Sequence, residues 1–214
     1  MSESIQICPV CEGNSTQPID DQQPVYLLCT NCDYLFLEPS LRLELEQEQK
    51  RYQEHNNDLE DPKYVEYLKK TWDRVSDQLE PGSLVIDYGC GPTRGLQRLL
   101  QGQDLQVVSY DPIFYPTSVD VLKGNVDVIF CSEAIEHMYQ PKSELERWQS
   151  LLKPEGLITL RTAFHKGSEG FREWWYKDDP THIGFFSVKT FEWISKKYDL
   201  EILHMHSPYV SFRK

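Results

Sequence analysis

The 214-residue sequence predicts an α/β domain built on an open, mainly parallel sheet, with a small cysteine-rich ribbon ahead of it. Two Cys-x-x-Cys pairs, CPVC (Cys8, Cys11) and CTNC (Cys29, Cys32), stand near the N-terminus with 17 residues between them. A buried strand runs into a glycine turn in SLVIDYGCGPTRGLQRLLQ. Beyond it, apolar strand patterns alternate with helical ones to the C-terminus.

The composition, 39% apolar and 26% charged, is that of a globular chain rather than a disordered one. No run approaches the roughly 18 apolar residues of a membrane span. MSESIQICPVCEG has neither the basic nor the apolar region of a secretory signal, so a cytoplasmic protein is expected. The formal charge of −12, from 22 basic and 34 acidic residues, repels polyanions and argues against a nucleic-acid partner. Met1 to Leu41 hold no Lys, Arg or His against six acids: Glu3, Glu12, Asp20, Asp21, Asp33 and Glu38.

Each Cys-x-x-Cys can turn two sulfurs toward one point, and two such knuckles make a closed tetrahedral thiolate site for structural Zn2+. A reducing cytosol disfavours disulfides. A redox Cys-x-x-Cys would be expected once, beside a βαβ unit. We therefore expect a zinc ribbon over residues 1–38, with Cys8, Cys11, Cys29 and Cys32 as ligands. Tyr26, Leu28, Tyr34, Phe36 and Leu37 give it an apolar surface to bury, so it reads as a cap on the main domain. A protein partner held through the ribbon is the alternative.

Residues 39–80 read as a helical lid or linker. Leu41, Leu45 and Tyr52 can share one helical face. Asp61-Pro62 is an N-cap with proline in the first turn, and Tyr64, Leu68, Trp72, Val75 and Leu79 follow at helical spacing up to Glu80-Pro81-Gly82. The catalytic core is expected over 81–214.

In that core Leu84 to Asp87 read as a strand, and a helix is expected from near Thr93. Gly89 and Gly91 let the backbone turn sharply and approach a ligand. LQVVSYDP ends a second strand on Asp111, whose carboxylate can accept from both hydroxyls of a nucleoside ribose. The dinucleotide fingerprint G-x-G-x-x-G would need glycine where Arg94 stands. Val126 to Phe130 form a strand running into CSEAIEHM, and a helix from Ser143 to Leu152 ends at the turn LLKPEG before the next strand. A helix from Val188 to Tyr198 precedes a closing strand pair in LEILHMHSPYVSFRK.

Asp87-x-Gly89-x-Gly91, followed by these elements in this order, resembles motif I and the layout of the class I S-adenosylmethionine-dependent methyltransferases over about residues 60–214. The resemblance implies a Rossmann-like seven-stranded methyltransferase sheet with S-adenosyl-L-methionine as cofactor. Asp87 would lie near its ammonium, Gly89 and Gly91 along its methionine end, Asp111 on its ribose and Ser132 beside it. The third glycine of the usual pattern is replaced by Thr93. The ribbon with RYQEHNN, GCGP, SEAIEHM and WWYKDDPTHIGFF looks like a small bacterial-type group of methyltransferases of unassigned substrate. His55-Asn56-Asn57 hint at a reach from the lid to the cofactor. SEAIEHM is also similar to the E-x-x-E-H of the ubiquinone-pathway O-methyltransferases, which implies Mg2+ at Glu133, Glu136 and His137. Against this stands a plain helix-start hydrogen bond between Glu136 and His137, with Glu133 near the cofactor.

EWWYKDDPTHIGFF follows the strand that starts after LLKPEG, past the edge where ligands bind in open α/β sheets. Trp174, Trp175, Tyr176 and Phe185 can wall an acceptor pocket, with packing beneath the loop as the plainer use. Pro180 stiffens the turn that aims His182 inward. His182, His137 and Glu133 are the catalytic candidates, the histidines for their near-neutral ring pKa. The expected function is methyl transfer to a small-molecule acceptor, as an O-methylation. One alternative is an RNA methyltransferase whose ribbon reads substrate, supported by a local basic group (Arg161, His165, Lys166, Arg172, Lys177). The other is a non-catalytic adaptor with a protein partner. Cys90 and Cys131 read as small buried side chains.

Overall fold

The computed structural model describes residues 6–54 and 59–214. The expected reach of His55, Asn56 and Asn57 concerns residues outside that range.

The N-terminal segment forms an antiparallel meander of β1 (Thr16–Pro18), β2 (Tyr26–Cys29) and β3 (Leu35–Leu37). The second cysteine knuckle is the β2–β3 turn. The Asp33 N–H donates to the Cys29 carbonyl at 2.8 Å, and Asp33 adopts a left-handed φ of 61°, which Asp tolerates better than most residues. Tyr26, Tyr34, Phe36 and Leu37 are buried and Leu28 half-buried, so the meander has an apolar side turned inward.

Two helices follow, α1 (Leu45–Gln53) and α2 (Pro62–Trp72). Leu41 and Leu45 do not share a buried face with Tyr52; both are exposed, and α1 turns Glu48 and Tyr52 inward over a cavity instead. Asp61 caps α2 by accepting the Lys63 N–H at 2.9 Å, and Leu68 and Trp72 are buried. The helix ends at Trp72 rather than Leu79, because Asp73, Ser76 and Asp77 compete for backbone hydrogen bonds and favour turns. Val75 is still buried.

The main domain contains β4 (Ser83–Tyr88), α3 (Gly95–Leu99), β5 (Leu105–Tyr110), β6 (Val126–Ser132), α4 (Pro141–Leu151) and β7 (Leu152–Arg161). β8 (Gly184–Phe185), α5 (Val188–Tyr198), β9 (Glu201–His206) and β10 (Tyr209–Arg213) complete it. The central sheet has the order β5-β4-β6-β7-β10-β9. Its first four strands are parallel, and β10 runs antiparallel to both β7 and β9. The Rossmann-like, parallel-rich sheet is as expected, but it has six strands among the described residues, not seven. Residues 111–125, between β5 and β6, form only a bridge, Asp111 to Tyr115, and a short 3-10 turn. That is too little chain for an edge strand with a crossover on either side, which takes a dozen or more residues per connection.

Two local details depart from the sequence expectation. α3 begins at Gly95 rather than near Thr93, since Arg94 takes the left-handed conformation at φ 51°. KPEG does not precede β7 but loops out within it: Val126 faces Leu152 and Val128 faces Leu157, with Glu155 at φ 63°. Among the described residues no helix is long and apolar enough to cross a membrane.

β8 does not join the central sheet. It pairs with β3, Leu35 opposite Phe185 and Phe36 opposite Gly184, so the ribbon sheet reads β1-β2-β3-β8. The segment expected as a pocket loop thus gives a strand to the ribbon. Gly184 makes this close approach possible: a Cβ there would lie 1.8 Å from the Tyr34 hydroxyl oxygen. Gly184→Ala is therefore expected to destabilise the protein by about 1–3 kcal/mol through overpacking, read as a lowered midpoint in denaturant with unchanged slope.

Candidate active site

A cavity of about 830 Å³ opens past the C-terminal ends of β4, β5 and β6, under α1 and α2. At one end lies the glycine turn. Gly89 and Gly91 have φ of 79° and 60°, and a Cβ on Gly89 would lie 2.4 Å from that of Ala134. The N–H groups of Gly89 and Cys90 donate to the Tyr110 carbonyl at 2.8 and 3.1 Å, tying the turn to the end of β5. Asp111 is tied to the same turn: its Oδ2 accepts the Gly91 N–H at 3.1 Å, and its Oδ1 accepts those of Ile113 and Phe114 at 2.9 Å each. A carboxylate offers about four lone-pair directions, so Oδ2 keeps the more open face. Asp87 and Ser132 line the same end. Asp87 is buried, its Oδ2 has no hydrogen-bond partner, and burial, reinforced by Asp111, pushes its pKa up to about 7.

At the other end lie His137 and His182. The ligating atoms of Glu136, His137 and His182 fall within 4.8 Å of one another. The Nδ1 of His137 is 2.8 Å from the Thr181 carbonyl, and that of His182 contacts the Tyr176 carbonyl. A carbonyl only accepts, so each Nδ1 carries a proton, and the other ring nitrogen, Nε2, is the one available to a ligand or a transferred proton. Burial holds His137 down to about 4, and His182 adds to that against the opposing pull of Glu136. Glu136 is fully buried; its Oε1 accepts from the Tyr176 hydroxyl, and its Oε2 has no hydrogen-bond partner. Glu133 is not in this cluster. It takes φ 50° at the end of β6 and pairs with Arg161, while burial and Glu136 push its pKa up to about 8. The turn after β6 is a 3-10 turn (Ile135–His137), not an α-helix, which is why Glu133, Glu136 and His137 do not converge as one helical face.

The aromatic segment divides between two tasks. Tyr176 and Trp175 line the cavity, and Trp175 stands 71% exposed at its rim with its ring edge-on to Tyr176. Trp174 and Phe185 do not line it; they pack with Tyr26, Leu35, Leu37 and Phe171 against the ribbon. α1 closes over the histidines, with Tyr52 edge-on to His137 at 5.2 Å and Arg51 donating to Asp179 at 2.8 Å. Glu48 accepts from the hydroxyls of Tyr52 and Tyr139 below it.

The four ribbon cysteines also converge. Cys8 and Cys32 sulfurs are 3.6 Å apart, those of Cys11 and Cys29 3.5 Å, and all four lie within 4.8 Å of one another. Zinc–sulfur bonds of about 2.3 Å in a tetrahedron place sulfurs about 3.8 Å apart, so the donor set and its spacing fit Zn2+. The expected basic group does not form a patch: Arg161 pairs with Glu133, Arg172 with Asp20 and Lys177 with Asp178, while the buried His165 ring contacts the Asp33 carbonyl.

Sequence reasoning missed Arg161 as the partner of Glu133, Asp179 as the anchor of α1, and Glu48. Only tertiary packing brings these together, 28 residues apart for the first pair and 128 for Arg51 and Asp179. The E-x-x-E-H spacing did single out Glu136.

This geometry meets its family in sequence comparison. Residues 33–205 match the model of the methyltransferase domain. The chain belongs to that family. A tRNA U34 carboxymethyltransferase of Idiomarina loihiensis is 26% identical over 125 residues, 46% of this chain and 39% of that protein, so the chain spans well under half of that relative. The 1,6-didemethyltoxoflavin-N1-methyltransferase of Burkholderia thailandensis, solved with 1,6-didemethyltoxoflavin and S-adenosylhomocysteine, superposes with a TM-score of 0.54. At 14% identity over 94% of this chain and 99% of that one, it shares the fold.

The low pKa of His137 has a stability consequence. A histidine held below its ordinary value of 6.5 contributes stability that is fully present above pH 6.5 and lost as pH falls through about 4. Its ring NMR signals are expected to stay neutral from pH 8 to 5, and His137→Gln to flatten the acid limb of the stability curve over that window.

Proposed function

We propose that this methyltransferase carries the methyl group to a hydroxyl oxygen of a neutral or cationic small molecule, with His182 as the base. One observation carries the reading: two imidazoles with fixed Nδ1–H tautomers face a cavity whose other end is the glycine turn. In the displacement the oxygen–carbon bond forms as the carbon–sulfur bond breaks, and the hydroxyl proton passes to Nε2 of His182. Its Nδ1–H is anchored on the Tyr176 carbonyl, and the buried carboxyl of Glu136 stabilises the imidazolium formed. The sulfonium is already an excellent leaving group, so alignment and exclusion of water carry most of the catalysis. α1 and the aromatic rim supply both.

On the cofactor side Asp87 would hold the ammonium, Gly89 and Gly91 would admit the methionine end, Asp111 would accept from a ribose hydroxyl, and Ser132 would lie beside them. The cavity wall supports an acceptor without phosphates. It includes Glu48, Asp61, Asp87, Asp111, Glu133, Glu144 and Asp179 against Lys63 and Arg161, the latter already paired. The ribbon cysteines would hold structural Zn2+.

A second use of the trio is favoured by the unpartnered Oε2 of Glu136: a divalent cation held by Glu136, His137 and His182. Two imidazoles and a carboxylate suit Mn2+, Fe2+ or Zn2+ better than the expected Mg2+. Such an ion would acidify a bound hydroxyl. The tRNA relative supports a nucleic-acid acceptor instead, against the acidic wall and the dispersed basic residues.

Release of S-adenosylhomocysteine, measured with hydroxylated small molecules and with unfractionated tRNA, separates these readings. Turnover is expected with small acceptors only, to survive chelation with ribbon zinc retained, and to fall about 10²- to 10⁴-fold in His182→Gln. Loss on chelation with recovery on Mn2+ would install the cation instead, and methylated tRNA would overturn the small-molecule reading. Asp87 gives an independent check by calorimetry. With its pKa near 7 it is largely protonated below that pH, so S-adenosylmethionine should bind about tenfold more tightly at pH 7.0 than at 5.5, a dependence absent in Asp87→Asn.

A further inference from the structure

The ribbon is attached to the acceptor end of the cavity by a short, continuous path. Asp33, the residue after the last cysteine, stands at φ 61° in the turn that brings Cys29 and Cys32 together. Its side-chain Oδ2 accepts from the Ser187 hydroxyl at 2.6 Å, and Ser187 caps α5. Its carbonyl oxygen lies 2.9 Å from Nε2 of His165. From Asp33 the chain enters β3, the sole strand partner of β8 among the described residues. Just before β8, the Ile183 carbonyl accepts the Leu37 N–H at 2.9 Å, while the Ile183 N–H donates to the Glu136 carbonyl at 3.0 Å. His182 is the preceding residue.

A two-residue strand has no stability of its own. β8 takes its strand pairing from the edge of the ribbon, beside the Phe164–Phe186 bridge and the Ile183–Glu136 hydrogen bond, and the ribbon, with strands of three and four residues, is too small to hold without its cysteine cluster closed. The glycine turn rests on β4 and β5, through the Tyr110 carbonyl and the Asp111 carboxylate, with no ribbon residue in those hydrogen bonds.

We infer that the four-cysteine site is a positioning element of the active site. Metal bound there sets β3, β3 sets β8, and β8 fixes His182 and the Glu136 backbone, while the cofactor end is held independently. Asp33 is the positioning residue that couples the knuckle to both flanks of the aromatic segment. Loss of the metal then disables the acceptor end and spares cofactor binding. The inference rests on the reading of His182 as an acceptor-side residue.

Zinc-loaded full-length protein would be compared with Cys32→Ser and with Asp33→Ala, which keeps all four thiols, with zinc content measured for each. S-adenosylhomocysteine affinity is read by calorimetry, and the tautomer signals of the 15N-labelled histidine rings by NMR. Neither readout uses an acceptor, so an error in the hydroxyl assignment leaves this test intact. Affinity is expected to stay within about twofold, while the Nδ1–H signals of His137 and His182 shift or broaden in both variants. Should Cys32→Ser fail to fold, Asp33→Ala with full zinc carries the same expectation. Unmoved histidine signals in Asp33→Ala, or S-adenosylhomocysteine affinity lost in parallel with them, would overturn the inference. The first would leave the ribbon a passive cap and the second a global stabiliser.

Discussion

The backbone of Ile183 is hydrogen-bonded on both sides, to Leu37 of the ribbon and to Glu136 of the turn after β6. Arg51 on Asp179 and the His137 ring on the Thr181 carbonyl hold the same segment from its other side. Thr181 and His182 are buried and Asp179 half-buried, where an unpaired amide or carbonyl costs about 1–3 kcal/mol. The Thr181 N–H donates to the Asp179 side chain and the His182 N–H to the Asp179 carbonyl, and the His182 ring reaches the cavity with Nδ1 on the Tyr176 carbonyl. The Tyr176 and Thr181 carbonyls that fix the rings belong to the same segment.

Burial sets the electrostatics on both sides of the cavity. The same desolvation raises the carboxyls of Asp87 and Glu133 and lowers His137, so each is biased toward its neutral form before ligands arrive. Glu136 Oε2, buried without a hydrogen-bond partner, is the feature a stability argument alone would not retain.

The sheet is economical at one edge. With no strand beyond β5 among the described residues, residues 112–115 fold back as a short loop whose amides serve the Asp111 carboxylate. The long connection between β7 and α5 carries the aromatic segment and meets the ribbon. Most of that segment's bulky groups are structural. Trp174 and Phe185 belong to a cluster shared with Tyr26, Leu35 and Leu37, and only Tyr176 and Trp175 face the cavity.

The sequence by itself determined whatever depends on local chemistry and short spacing. Paired Cys-x-x-Cys knuckles, the Asp87–Gly89–Gly91 turn, the Asp61 cap and the alternation of strand and helix were all legible, because each is written within a few residues. Tertiary structure decided what depends on distant chain meeting: that β8 pairs with β3, that Glu136 joins His182 rather than Glu133, and that Arg161 and Arg172 are consumed in ion pairs. Periodicity could not separate the two fates of the aromatic segment. A tryptophan under a loop and one at a cavity rim are the same residue until the ribbon arrives to bury the first and leave the second open.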